Sequence, residues 1–152
     1  RSFNYNARFI ELASEINTNM PRYVVSRVLE AMNDLGKTLK GSKVLVLGVA
    51  YKPDIDDVRE SPALDVIGLL RKKGALVEYH DPYIPHIHHE YDGWRMDSVK
   101  DMMKSVKEAD VVVVVTNHKV YDYKAVIESA KFVFDSRNAT GKLGKFANVE
   151  RL

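Results

Sequence analysis

The sequence predicts an α/β protein with an open, doubly wound, mainly parallel sheet, preceded by one or two helices. Short apolar segments rich in Val and Leu alternate along the chain with segments whose apolar residues recur at helical spacing. The strand segments lack polar alternation, which indicates burial on both faces of a sheet. Connections of helical length between strands favour parallel, right-handed crossovers, and spacing alone leaves the strand order open.

The N-terminal segment carries two sets of apolar residues at helical spacing, one on each side of Pro21. The pattern predicts two helices, or one helix kinked near Pro21, ending at Gly36. The first set comprises Phe9, Leu12, Ala13 and Ile16, and the second comprises Val25, Val28, Leu29, Met32 and Leu35.

The first half of the alternating series has two strands around one helix. Residues 43–47 and 76–80 are predicted strands. The helix between them begins at Ser61 as N-cap with Pro62 at its first position, and it ends before Gly74. Its buried stripe is Ala63, Val66, Ile67 and Leu70.

The second half continues the alternation of helices and strands. Ser98 and Asp101 are typical of a helix start, and residues 111–115, five consecutive valines, are the strongest signal of a buried strand. A helix over residues 122–130 and a strand over residues 132–135 complete the sheet. The apolar face of the first of these helices is Val99, Met102, Met103 and Val106.

Residues 81–96 contain two prolines, one glycine and three histidines, and we expect an exposed, irregular loop there. His86, His88 and His89 lie close enough in sequence to ligate a metal. Because the chain has no cysteine and only Glu90 and Asp92 lie nearby, we favour a solvated loop over a metal site.

Composition excludes several classes of protein. A chain of 152 residues suits one domain with one core. The absence of cysteine excludes disulfides, thiolate metal clusters and a cysteine nucleophile within these residues. With 23 basic against 21 acidic residues, no general nucleic-acid surface is indicated. The chain has no apolar run of roughly 20 residues and no signal sequence, so we expect it to be cytoplasmic and not membrane-bound. It begins with Arg1, which suggests a piece of a longer protein.

Polar residues follow each predicted strand, where ligands bind in wound α/β sheets. The first such loop has Gly48 alone instead of G-x-G-x-x-G, so the fold is Rossmann-like without the dinucleotide fingerprint. A phosphate would then need side-chain cations, and Lys52, Arg59 and Arg137 are available. The polar segments are residues 48–53, 81–82, 116–118 and 135–138.

Arg59 lies among four acidic residues. The group suggests either a metal site, a phosphoacceptor or an ion-pair brace for the loop. The brace is favoured because the acids lie several residues beyond the strand and basic residues interrupt them. These acids are Asp54, Asp56, Asp57 and Glu60.

Residues 47–62 resemble the signature that opens the C-terminal domain of the UDP-glucose/GDP-mannose dehydrogenase family. Supporting matches are residues 78–82, which end in Asp81-Pro82, and residues 135–138. Residues 8–13 and 20–25 resemble the central helices that precede that domain. Their sequence is similar to that of the UDP-N-acetylglucosamine 6-dehydrogenase branch. The matching fixed positions are Lys52, Asp54, Asp57, Arg59, Glu60 and Ser61.

The resemblance implies a function for the longer protein. Members oxidise the C6 alcohol of a UDP-sugar to a carboxylate with NAD, through a thioester on an enzyme cysteine, and supply precursors of polysaccharides. It implies that Tyr51 and Lys52 contact the UDP-sugar, that Arg137 contacts its nucleotide part, and that Arg59 contacts NAD. The NAD-binding domain and the cysteine would lie outside this chain, which would be inactive alone, with no catalytic residue and no metal.

The resemblance also implies a division of the chain. Residues 1–36 would belong to the central connecting and dimerisation helices of a homodimer, and residues 37–152 would form the UDP-sugar-binding domain. One alternative is a structural or dimerisation module without a ligand, in which the helices pair two chains. A free-standing flavodoxin-like or receiver domain is disfavoured because no aspartate follows the first strand directly.

Overall fold

The computed structural model describes residues 2–152, with side chains from Ala7 onward. Five parallel strands form one sheet in the order β2-β1-β5-β6-β7, which confirms the predicted fold class. The elements are α1 Ser2–Asp34, β1 Lys43–Leu47, α2 Pro62–Lys72, β2 Leu76–His80, β3 His86–His88, β4 Arg95–Asp97, α3 Met102–Glu108, β5 Val111–Val114, α4 Tyr123–Ser129, β6 Val133–Asp135, a 3-10 turn Gly141–Leu143 and β7 Val149–Arg151.

The order of the strands fixes where the winding reverses. From β1 the chain moves outward to β2, and it later returns to place β5 on the other side of β1. The switch point therefore lies between β1 and β5, and the crevice outside their carboxyl ends is the usual ligand position in such sheets.

Helices cover both faces of the sheet, as the apolar strands predict. Val44 and Val46 of β1 face a core built with α1, α2 and Ile87 of β3. Leu45 and Leu47 of the same strand face a second core built with α3 and α4. This alternation along one strand explains why the strand sequences are apolar throughout.

Helix α1 is continuous through Pro21, which decides between the two predicted arrangements of the N-terminal segment. Its C-terminal half belongs to the core of the sheet, where Val25, Val28 and Met32 are fully buried. From Ala7 onward, its N-terminal half leaves large apolar side chains exposed. These include Phe9, Ile10, Leu12 and Ile16, each more than half exposed.

The prediction of an irregular exposed loop over residues 81–96 is wrong in part. Strands β3 and β4 form an antiparallel hairpin in which Ile87 pairs with Met96. The period-2 alternation of His86-Ile87-His88 turns Ile87 into the core and leaves both histidines exposed. The most exposed side chain lies at the tip, where Tyr91 is 94% exposed.

Two smaller differences concern element boundaries. Helix α3 begins at Met102, with Asp101 as N-cap accepting a hydrogen bond from the Lys104 N–H at 3.1 Å. Ser98, predicted at the helix start, instead accepts a hydrogen bond from the Asp81 N–H at 3.0 Å. Strand β7 was not predicted, because it has only three residues and follows a turn. No described helix is long and apolar enough to cross a membrane.

Candidate functional site

The loop after β1 lies directly against the loop after β5. Gly48 has a φ of +83°, and a Cβ atom built on it would collide with the Thr116 carbonyl oxygen. Glycine is required here because the two loops approach so closely. This glycine therefore permits the close packing of the two loops.

Asp81, directly after β2, is a buried acceptor of hydrogen bonds from the start of the loop that follows β1. Its Oδ2 accepts hydrogen bonds from the backbone N–H groups of Val49 at 2.8 Å and Ala50 at 3.1 Å. Its Oδ1 accepts from the Tyr83 N–H at 2.8 Å. The buried carboxylate is thus satisfied by fixed backbone donors, which hold two neighbouring loops together.

His118, on the loop after β5, contacts the same carboxylate of Asp81. The ring is fully buried, and its Nε2 lies 2.7 Å from Asp81 Oδ2. Its Nδ1 accepts a hydrogen bond from the Asp54 N–H at 2.8 Å. Since a backbone N–H can only donate, the ring proton is on Nε2 and is donated to Asp81.

Asp54 is held from two directions at the far end of the same loop. Besides the contact of its N–H with His118, its carboxylate accepts from the Lys119 N–H at 2.8 Å. Its φ of +63° is in the left-handed region, which is uncommon for a residue other than glycine. The loop from Ala50 to Asp54 is therefore fixed at both ends.

Tyr51 and Lys52 are displayed on this fixed loop. Tyr51 is 46% exposed, and its N–H donates to the Asp57 carbonyl at 2.6 Å. The exposed Lys52 places Nζ 5.5 Å from the centre of the Tyr51 ring. A cation and an aromatic face thus stand side by side at the switch point of the sheet.

Arg59 makes the ion pair that the acidic group suggested. Its Nε lies 3.1 Å from Asp57 Oδ1 and its terminal nitrogen lies 3.0 Å from Oδ2. This contact lowers the pKa of the Asp57 carboxyl and raises the pKa of Arg59. Among the residues described, no three His, Asp or Glu side chains are placed to hold a metal ion.

Arg137 lies on the loop after β6, which a second buried aspartate shapes. Asp135 accepts from the N–H groups of Arg137 at 3.0 Å and Ala139 at 3.1 Å, and from the Thr140 hydroxyl at 2.6 Å. The Arg137 side chain is exposed. Structural pairing with Asp135 therefore involves the backbone of Arg137 and leaves its guanidinium available.

The structure brings the predicted cations to one edge of the sheet without enclosing them. Strand β5 separates β1 from β6, so about 10 Å separates the strands that carry Lys52 and Arg137. A cavity of about 550 Å³ lies instead at the opposite, amino edge, lined by residues that include Lys43, Leu76 and Glu108. It contains none of the residues predicted to bind substrate.

The pairing of Asp81 with His118 was not predicted, although both were noted at strand ends. The available signal was a polar residue directly after a buried strand. Neither residue reveals its partner, because they are far apart in sequence and meet only when β5 is placed beside β1.

Nearby, Tyr121 Oη lies 3.0 Å from His80 Nδ1. Burial lowers the pKa of His80 and raises the pKa of Tyr121.

Comparison with known proteins identifies the family. The sequence profile of the UDP-glucose/GDP-mannose dehydrogenase family, UDP binding domain, matches residues 45–142. The chain belongs to this family. The match includes the loops that carry Tyr51, Lys52, Arg59 and Arg137 and leaves α1 outside.

Relatives and solved structures agree with this assignment. The UDP-N-acetyl-D-mannosamine dehydrogenase of Methanococcus maripaludis is 34% identical over 141 residues, covering 88% of this chain and 31% of the relative. The UDP-glucose 6-dehydrogenase of Rhizobium meliloti is 34% identical over 110 residues, covering 72% of this chain and 24% of the relative. The structure of the UDP-N-acetyl-mannosamine dehydrogenase of Staphylococcus aureus matches with a TM-score of 0.71 and 30% identity, covering 96% of this chain and 33% of that one.

The chain spans about a quarter to a third of the length of these relatives. The quoted relatives are named for N-acetylmannosamine and for glucose, whereas the sequence resemblance pointed to the N-acetylglucosamine branch. The family expectation is confirmed, and the quoted relatives differ from the expected branch in the sugar for which they are named.

Proposed function

We propose that this chain binds the uridine diphosphate part of a UDP-sugar at the carboxyl edge of its sheet, within an NAD-dependent UDP-sugar 6-dehydrogenase. The observation that carries the proposal is the placement of Tyr51 and Lys52 on a doubly anchored loop at the switch point. The longer enzyme would convert the C6 alcohol of the sugar to a carboxylate for polysaccharide precursors in the cytoplasm, with its cysteine outside these residues.

The three rim side chains fit a nucleoside diphosphate in chemical type. Lys52 supplies a point charge for a phosphate, and Arg137 supplies a planar, bidentate donor for the nucleotide part. The Tyr51 ring supplies a flat apolar surface for a base or ribose. Because Lys52 and Arg137 lie on the loops that follow two different strands, an extended ligand that spans the carboxyl edge fits them better than a small anion.

The sugar is proposed from the relatives. UDP-N-acetyl-D-mannosamine is the first choice, because the quoted relative covering 88% of this chain is named for it. UDP-glucose follows by the same reasoning from the other quoted relative. UDP-N-acetylglucosamine, expected from the sequence resemblance, ranks below both.

The residues of this chain do not build a dinucleotide site by themselves. Gly48 is occupied by loop packing against Thr116, and the loop offers no further glycine for a pyrophosphate. NAD would be held mainly by a domain outside the chain. Arg59, with an 87% exposed side chain oriented by Asp57, is the residue proposed to reach it.

We further propose that residues 1–36 act as connecting and dimerisation helices of a homodimer, with residues 37–152 as the binding domain. The stripe of Val25, Val28 and Met32 is covered by the domain, so it does not favour a separate dimerisation module. The exposed apolar residues of the other half of α1, such as Leu12 and Ile16, are the surface available to a second copy. The oligomeric state of variants in the two halves tests this.

Calorimetric titration of the chain with UDP at low salt tests the binding proposal. Lys52→Ala and Arg137→Ala should each weaken UDP binding about tenfold or more, because each removes a charge-assisted contact to the ligand. Lys131→Ala is the matched control, since this exposed lysine lies at the amino end of β6. Absence of heat with the unmodified chain, or equal binding by Lys52→Ala, would contradict the proposal.

A further inference from the structure

The pair formed by Asp81 and His118 stands apart from the other polar residues of the binding edge because no ligand can reach it. Asp81 is 2% exposed and His118 is fully buried. The rings of Tyr83 and Tyr121 pack against the imidazole with centroid distances of 4.9 and 5.8 Å. Any effect of this pair on binding must therefore act through the residues it holds.

Both nitrogens of the His118 ring are used, and they hold opposite ends of one loop. Nε2 contacts the Asp81 carboxylate, which accepts the N–H groups of Val49 and Ala50. Nδ1 accepts the N–H of Asp54. The residues between these two anchors are Tyr51, Lys52 and Pro53, which include the two side chains proposed to contact the ligand.

The second anchor holds a conformation that the chain would not adopt freely. Asp54 has a positive φ of 63°, and such a residue persists when its surroundings over-determine it. The surroundings here are the His118 ring and the Lys119 N–H. Removal of the ring acceptor would leave the Asp54 N–H without its partner and would allow the loop to relax.

We propose that Asp81 and His118 are positioning residues that fix Tyr51 and Lys52 in their ligand-binding geometry. The neutral ring of His118 connects the two ends of the loop, because one ring nitrogen contacts Asp81 and the other contacts the Asp54 N–H. This inference rests on the proposed UDP site. It also makes a claim about loop rigidity that can be measured without any ligand.

Two conservative substitutions test the two contacts of the His118 ring separately. His118→Gln places an amide near the position of Nε2 and retains a donor to Asp81, while the Asp54 N–H loses its acceptor. His118→Asn places a carbonyl oxygen near the position of Nδ1 and retains the contact to Asp54, while Asp81 loses its donor. Each variant removes one anchor and leaves the other in place.

Amide hydrogen exchange and UDP calorimetry are measured on the same variants. In His118→Gln the Asp54 amide should exchange about tenfold faster, with Val49 and Ala50 still protected. In His118→Asn the Val49 and Ala50 amides should lose protection instead. Both variants should weaken UDP binding about tenfold.

Val106→Ala, in the core between α3 and the sheet, is the control for general destabilisation. It should lower the unfolding midpoint and leave UDP binding unchanged. Equal UDP affinity of wild type and both His118 variants would overturn the inference, as would a uniform rise of exchange in every loop. If the unmodified chain binds no UDP, the binding proposal fails, and the exchange pattern alone decides whether His118 holds the loop.

Discussion

At the scale of single residues, buried aspartates at strand ends shape the surface that exposed cations occupy. Asp81 and Asp135 each accept several backbone N–H groups and so determine the course of the loops after β1 and β6. Lys52 and Arg137 depend on those loops for their positions. The main feature of the candidate site is the division between buried acceptors that orient the loops and exposed cations that are proposed to bind the ligand.

Asp110 provides a residue-scale prediction about pH. It accepts a hydrogen bond from the Lys43 N–H at 2.8 Å and pairs with Lys37 at 3.2 Å. These contacts, the backbone hydrogen bond first, lower the pKa of its carboxyl. A lowered native pKa means that the stabilisation is present above the ordinary aspartate pKa of about 3.9 and is lost as the pH falls below it.

Asp110→Asn should therefore reduce the free energy of unfolding by about 1 kcal/mol at pH 7. The difference from wild type should shrink as the pH falls from 5 to about 2. Urea unfolding at several pH values measures this. A difference that stays constant across that range would show that the charge of Asp110 contributes nothing.

The sequence locates the exposed cations better than the buried partners. Lys52, Arg59 and Arg137 each follow a predicted strand and are exposed, and their binding roles stay predictions. His118 is not recognisable in this way, since its role depends on which strand lies beside β1. The same limit applies to Asp54, whose left-handed backbone is fixed by residues more than 60 positions away.

At the scale of elements, helix α1 has two halves with different surroundings. Its C-terminal half is part of the domain core, and its N-terminal half presents apolar side chains to solvent. Periodicity predicted both halves as helix because each repeats apolar residues at the same spacing. It could not distinguish a face packed on the sheet from a face left open to a second copy.

Substitutions in the two halves of α1 should have different effects. Ile16→Glu, at a 52% exposed position, should convert the proposed dimer to a monomer without lowering the unfolding midpoint of the monomer. Met32→Ala should cost about 2–5 kcal/mol of stability by leaving a cavity. Leu29→Ala, at a 41% exposed position on the same half, is its control and should change stability little.

Sedimentation at several chain concentrations and urea unfolding measure these effects. A monomeric wild type, or an Ile16→Glu variant that associates as wild type does, would contradict the proposed dimer surface. Equal destabilisation by Met32→Ala and Leu29→Ala would contradict the assignment of the C-terminal half to the core.

The hairpin shows the limit of prediction for short elements. Prolines and a glycine around β3 and β4 favoured an irregular loop, yet each strand has only three residues and one inward side chain. Ile87 and Met96 pair across the hairpin and pack on the core. Burial supplied by the rest of the molecule, rather than local propensity, stabilises this pairing.

At the scale of the whole molecule, a five-stranded parallel sheet carries the proposed binding site at its carboxyl edge. The family match and the solved relatives establish the fold and the family, and the chain covers about a third of those relatives. Because these residues contain no cysteine, the proposed oxidation through a thioester would need a cysteine outside them.

Mapping of the UDP site by NMR on the isotopically labelled chain tests the central claim most directly. Addition of UDP should shift the amide resonances of residues 49–52, 54 and 136–140, at the carboxyl edge, in a concentration-dependent way. The amide resonances of Lys43, Leu76 and Glu108, which line the cavity at the amino edge, should remain unchanged and provide an internal control. Shifts confined to that cavity, with the carboxyl-edge loops unaffected, would contradict the account.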